Sequence, residues 1–231
     1  NFLLAILDYC YSHREEIHQL LRQAEQRTVL RGLNPSADDS FSVEFEVKPL
    51  KERINVRGYE MEVTPREGTW PLVKKTDRKK VYTVPYFADF VPKRSVPFPY
   101  AYLLPLQDPV ITEKLLQHGI LVERLTKPVT LEVQSFRLKE ITAEPRLFQG
   151  HRMNSVKGEY FIEQKEFEKG TLFIPTAQPL AGLAAYLLEP ESDDGLLVWN
   201  FFDRYLVPQW SREPQTYPVR KLLKPVNLAR E

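Results

Sequence analysis

Residues 170–207 read GTLFIPTAQPLAGLAAYLLEPESDDGLLVWNFFDRYLV, and their order sets the fold class. Gly170 turns the chain into the apolar Leu172-Phe173-Ile174, which predicts a short strand. Pro179 then opens a run in which Leu180, Leu183, Ala184, Leu187 and Leu188 recur at helical spacing. Glu189, Glu191, Asp193 and Asp194 form an acidic turn closed by Gly195. Beyond it Val198, Trp199, Phe202, Tyr205 and Leu206 predict a last helix, with Asp193 or Asp194 as its N-cap. The acids beside a helix N-terminus read as a structural turn, because that end of a helix favours negative charge. Pairing with Arg152, Arg204 or Arg212 is a second way to lock the same turn.

Working backward, 129–142 and 156–168 alternate apolar and polar residues over lengths that predict a twisted antiparallel ribbon, covered on one face. Residues 100–125 predict strand, helix, strand. Asp108-Pro109 supplies an N-cap carboxylate followed by proline at the first helical position, and Gly119 supplies the stop. Prolines at 97, 99, 105 and 109 place a soft boundary near residue 95. Upstream of it, Phe41, Val43, Phe45 and Val47 begin a set of strands with one wet face, continued by Ile54, Val56, Tyr59, Met61 and Val63. The run Lys74, Lys75, Arg78, Lys79, Lys80 predicts a solvated hairpin loop. At the N-terminal side Leu3, Ile6, Leu7, Cys10, Ile17, Leu20, Leu21 and Ala24 trace one long amphipathic helix, stopping before Gly32 and Asn34-Pro35. Residues 208–231, with their prolines, predict an extended segment over the surface.

These elements amount to an α+β fold: twisted, mixed or mainly antiparallel sheets with a long N-terminal helix and about three further helices. The organisation expected is a helix over 1–33, a strand-rich subdomain over 34–95, and an α+β domain over 96–231 with an extended tail.

Composition narrows the function. The 231 residues are 42% hydrophobic and carry 32 basic against 31 acidic side chains, for a formal charge of +1. Such a balance provides no general field for nucleic acid, and no nucleic-acid partner is expected. No apolar run approaches the roughly 18 residues of a spanning helix. The single cysteine, Cys10, excludes an internal disulfide and reads as a small buried hydrophobe.

The run from Gln178 to Asp203, QP-x-x-x-LAAYLLEPESDDGL-x-x-WNFFD with its neighbours, resembles the C-terminal region of large bacterial zinc carboxypeptidases of the carboxypeptidase A-like metallopeptidase family. The segments before it match more loosely. The resemblance implies a zinc-dependent exopeptidase acting in proteolysis, in a periplasmic or extracellular setting, with its catalytic half upstream of Asn1. On that reading the N-terminal helix closes the peptidase domain, whose absence would leave the helix free to pair two copies. This chain would be an accessory C-terminal domain, with the upstream peptidase domain as partner and a peptide as the shared substrate. Zinc is implied for the whole enzyme and no cofactor for this chain.

The family's zinc ligands are a His-x-x-Glu pair and a distant His. His13-Arg-Glu-Glu16 has the short spacing, and His151 or His118 would be the third ligand. The set is rejected as a metal site, since His13 and Glu16 fall mid-helix and the surroundings of His151 lack the family's pattern. Cys10 and His13 share a helix face, but a buried thiol lacks the electropositive, accessible setting that makes a thiolate. No nucleophile elbow or phosphate loop is present. The acidic turn lacks the ligand spacing of a calcium loop. The remaining polar recognition candidate is Gln149, His151 and Arg152 around Gly150, which could present donors to a carboxylate or serve as a turn between strands. A free-standing peptide- or glycan-binding module, using aromatics near Trp70, Tyr82, Tyr86 and Phe87, is the alternative function.

Overall fold

The centre of the larger sheet is built from the last strand among the described residues. The computed structural model describes residues 1–36, 38–206 and 215–231. In it, β3 (Ala101–Leu104), β4 (Glu123–Arg124), β5 (Val129–Ala143), β6 (Asn154–Phe167), β7 (Leu172–Pro175) and β8 (Arg220–Leu222) assemble in the order β4-β7-β3-β8-β5-β6. Neighbouring strands run antiparallel, with Tyr102 opposite both Ile174 and Lys221, and Lys221 opposite Gln134. The fold is α+β, as expected. The segment after residue 208 was expected on the surface, yet β8 is buried mid-sheet. Its Arg220-Lys221 pair reads as solvent-facing until the partners of both charges are known.

Alternation along the strands divides the buried residues between two faces. Tyr102, Leu104, Phe136, Leu172 and Ile174 belong to one cluster, packed with Ile111 and Leu115 of α3 (Pro109–Gln117) and Ala184 and Leu188 of α4 (Ala181–Leu188). Ala101, Leu103, Val133, Phe173 and Leu222 belong to a second, covered in part by Tyr100 and Leu228. The sheet is thus buried on both sides where β3 and β7 run, whereas β6 alternates half-buried and exposed residues over most of its length.

Local signals worked where a single residue decides. Asp108 accepts the Val110 amide at 2.9 Å and caps α3, and Gly119 takes φ 75° at its end. The long runs pair as β5 and β6, from Val129 opposite Phe167 to Ala143 opposite Asn154, with an irregularity between Leu138 and Glu140. The last helix is shorter than its apolar stripe: residues 195–202 form successive turns and only α5 (Asp203–Leu206) is helical. Neither Asp193 nor Asp194 caps it.

At the other end the chain forms α1 (Phe2–Ser12) and α2 (Arg14–Leu33), interrupted at His13. α2 continues through Gly32 instead of stopping before it. Gly32 is the buried point of α2, because a Cβ there would overlap the backbone of Thr176 and Ala177. The glycine permits close approach and is not a terminator. No residue of α1 is buried, and Cys10 is exposed, against the sequence expectation. A buried environment for Cys10 required a partner for the helix that this chain does not supply.

β1 (Ser40–Thr64) and β2 (Leu72–Pro97) pair as a two-stranded sheet. The chain divides into two compact units, Asn1–Glu44 with Arg94–Glu231, and Phe45–Lys93. The basic run lies within β2, not in a loop. Cross-strand contacts hold it extended: Arg78 pairs with Glu60 at 2.7 Å, and the Lys75 ammonium sits 3.7 Å from the Tyr59 ring centre. Tyr82 covers Gly58 and donates its hydroxyl to the Tyr59 carbonyl at 2.8 Å. Both faces of this ribbon are wet, with Phe45, Val56, Met61, Val63 and Phe90 all exposed.

Candidate functional site

Phe148 and His151 exchange both backbone hydrogen bonds, at 2.8 and 2.9 Å. Between them Gln149 and Gly150 take φ values of 49° and 85°, so a tight two-residue turn joins the chain leading from β5 to that entering β6. The His151 ring stands edge-on to Trp199 and its Nδ1 lies 3.2 Å from Asn200 Oδ1. Asn200 also donates to the Arg152 carbonyl at 2.9 Å. The structure therefore brings Gln149, His151 and Arg152 into one turn, but spends the imidazole on an internal contact.

The four acids of the turn separate into different roles. Asp194 accepts the Trp199 indole N–H at 2.5 Å, and Asp193 accepts the Tyr186 hydroxyl. Burial, then the bond to Asp193, pushes the Tyr186 phenol up. Glu191 pairs with Arg94, which also reaches Glu44 at 3.7 Å. Of the expected arginine partners, Arg204 pairs with Asp108 instead, and Arg212 lies outside the described residues. Burial raises the Asp108 pKa, but hydrogen bonds from Arg204, Tyr205 and the α3 backbone outweigh it and leave the carboxyl below its ordinary range.

Glu189 is the exception, because it is buried, at the C-terminus of α4. Its Oε1 accepts the Tyr102 hydroxyl at 2.8 Å and its Oε2 the Tyr160 hydroxyl at 3.1 Å. Lys221 Nζ lies 3.2 Å from Oε1, and its ammonium is 4.3 Å from the Tyr160 ring centre. Four elements, α4, β3, β6 and β8, thereby converge on one carboxylate. Burial lowers the Lys221 pKa, opposed by the charge of Glu189, and burial with that same charge raises both tyrosines. Arg220 points the other way, to Glu163 at 3.2 Å, where Ser135 also donates at 2.5 Å. Sequence reading grouped Glu189 with the surface acids and missed Tyr102, Tyr160, Arg220 and Lys221. The available signal was two consecutive cations between apolar residues in PVRKLL, which calls for a buried acid on each face.

The arrangement fastens the end of α4 to strands β3, β6 and β8. The space beside Glu189 and Lys221 is about 10 Å³, too small for a substrate. A larger cleft of about 490 Å³ opens between the acidic turn and the start of β6, lined by Glu44, Arg94, Glu144, Met153, Asn154, Glu191, Asp193 and Val198 among others. Its carboxylates outnumber its one arginine, so it favours a cationic group over an anion.

The zinc candidates His13, Glu16, His118 and His151 form no ligand set among the described residues. His13 stacks on Tyr9 and its Nδ1 lies 2.9 Å from the Tyr9 carbonyl oxygen, at the junction of α1 and α2. Among the described residues no three His, Cys, Asp or Glu side chains converge as metal ligands. No described helix is long and apolar enough to cross a membrane.

No family model matches the chain, and neither a curated protein nor a solved structure does. Within the chain, the polar residues of the distinctive 178–203 run make specific contacts. Gln178 clamps the chain around Leu121, accepting its N–H at 2.7 Å and donating to its carbonyl at 3.2 Å. Asn200 holds the His151 turn, and Asp203 accepts the Asn154 amide at 2.7 Å.

Proposed function

We propose that this chain is the noncatalytic accessory region of a bacterial zinc metallocarboxypeptidase, docking on the peptidase domain and supporting it or contacting its peptide substrate. The observation that carries the reading is α1. Its sequence, FLLAILDYCYS, is apolar on all sides with Asp8 as its one charge, and Phe2 is 79% and Leu3 73% exposed. A helix apolar all round belongs inside a folded body, and a peptidase domain is the enclosing partner that the resemblance of 178–203 indicates. In the isolated chain the same helix pairs two copies.

The test is the complete reading frame. Its product should bind zinc and cleave C-terminal residues, while the chain from Asn1 to Glu231 should not. Leu3→Asp with Leu7→Asp in the complete product should lower its Tm. A complete product without zinc-dependent activity, or turnover by this chain alone, overturns the proposal.

The cleft beside the acidic turn supports a second reading, a peptide-binding module, since about 490 Å³ lies within the range of ligand sites. Trp70, 89% exposed, is the best-presented aromatic for a glycan version of that reading. Thermal-shift titration with lysine- and arginine-containing peptides, and with oligosaccharides, separates these from a docking role. No shift with any of them removes the second reading.

A further inference from the structure

Two buried polar atoms near the Glu189–Lys221 pair have no hydrogen-bond partner among the described residues: the Tyr217 hydroxyl and Gln134 Oε1. Tyr217 is 1% exposed, with its ring edge-on to Phe202. Both residues line the same void of about 10 Å³, walled also by Tyr102, Tyr160, Glu189 and Lys221. A tyrosine hydroxyl both donates and accepts, whereas an amide oxygen only accepts.

We infer that this void is a binding site for one internal water molecule, held between Tyr217 Oη and Gln134 Oε1 beside the Glu189–Lys221 pair. The volume is at the lower limit for a single water, roughly 10–15 Å³. The ligand must donate to Gln134 Oε1 and exchange a hydrogen bond with Tyr217 Oη. Water meets both demands, and the polar wall supplies further partners. A methyl-sized apolar group would leave both atoms unpaired, and an anion would face Gln134 Oε1 and Glu189 with like polarity. The register supports the placement: Gln134 and Tyr102 lie opposite Lys221 on the two flanks of β8, so all three project to the same face. The water thus extends the polar network around Glu189 to the segment that leads into β8.

The test is a sign. With the water in place, Tyr217→Phe removes one of its anchors and should lower Tm by about 2–4 °C. Without it, the same change deletes an unpaired buried hydroxyl, and Tm should stay level or rise. Gln134→Leu should lower Tm similarly, and the double variant should lose less than the two losses added, because both residues hold one molecule. An atomic-resolution crystal structure of the wild-type chain should show a density peak about 3 Å from both atoms. A level or raised Tm in Tyr217→Phe, or a site without that peak, overturns the inference.

Discussion

Glu189 and Lys221 form a salt bridge at 3.2 Å with side chains that are 0% and 4% exposed, joining the end of α4 to the middle strand of the sheet. Two tyrosine hydroxyls complete the carboxylate's coordination, from β3 and β6. Taking two charges out of water is costly, and attraction offsets the cost only when the remaining acceptors and donors are satisfied.

Removing one member should be worse than removing both. Lys221→Met leaves the Glu189 carboxylate buried without its counter-ion and should destabilise the chain by about 3–5 kcal/mol. Glu189→Gln with Lys221→Met should recover much of that loss, since it removes both buried charges and keeps a polar partner for the Tyr102 and Tyr160 hydroxyls. Urea unfolding of Lys221→Met, of Glu189→Gln and of the double variant measures the cycle; a double variant as unstable as the two single losses combined would contradict the paired account.

Asp108 predicts a pH dependence. Its carboxyl titrates below the ordinary 3.8, so its stabilisation is complete above that pH and is lost as pH falls through the folded-state value. Asp108→Asn keeps an N-cap acceptor and loses the charge facing Arg204. The stability gap between wild type and Asp108→Asn should be widest near neutral pH and narrow below about 3.8 in acid-unfolding curves. Asp108→Ala, which also loses the cap, should cost about 1–2 kcal/mol more at neutral pH.

Gly32→Ala should be damaging although alanine is the better helix former. The added methyl group meets the Thr176–Ala177 backbone, which cannot step aside as a flexible side chain would. Overpacking of this kind costs about 1–3 kcal/mol. Limited proteolysis should then cut between α2 and β1 in the variant sooner than in the wild type.

Light scattering reads the state of α1. The isolated wild-type chain should run as a dimer that dissociates on dilution, and Leu3→Asp with Leu7→Asp should run as a monomer whose Tm matches that of the wild type once diluted to monomer, because neither side chain is buried within one copy. A strictly monomeric wild-type chain would count against pairing through this helix.

What was legible in the sequence depended on how local its cause is. Asp108-Pro109 and Gly119 act within a turn of the chain, and the α3 boundaries follow from them. The long alternation over 129–142 and 156–168 needs only a neighbour of equal length, and β5 and β6 are that pair. Lys74 to Lys80 read as a loop because their partners on β1, Tyr59 and Glu60, lie outside the local window. The error at 220–222 has the same origin: Glu163 and Glu189, which accept its two cations, are 57 and 32 residues away. Within the site, the 149–152 turn was readable from Gly150. The division of labour among the four acids was not, because only the packing of α4 against the sheet decides which carboxylate is inside.

The position of β8 has a consequence for synthesis. Because Arg220–Leu222 separate β3 from β5, a nascent chain that already carries β3–β7 still holds two unpaired strand edges. Such edges invite pairing with another chain until they are filled. Residues 220–222 therefore act as a keystone, and a chain interrupted before them would keep an open seam in the middle of its sheet.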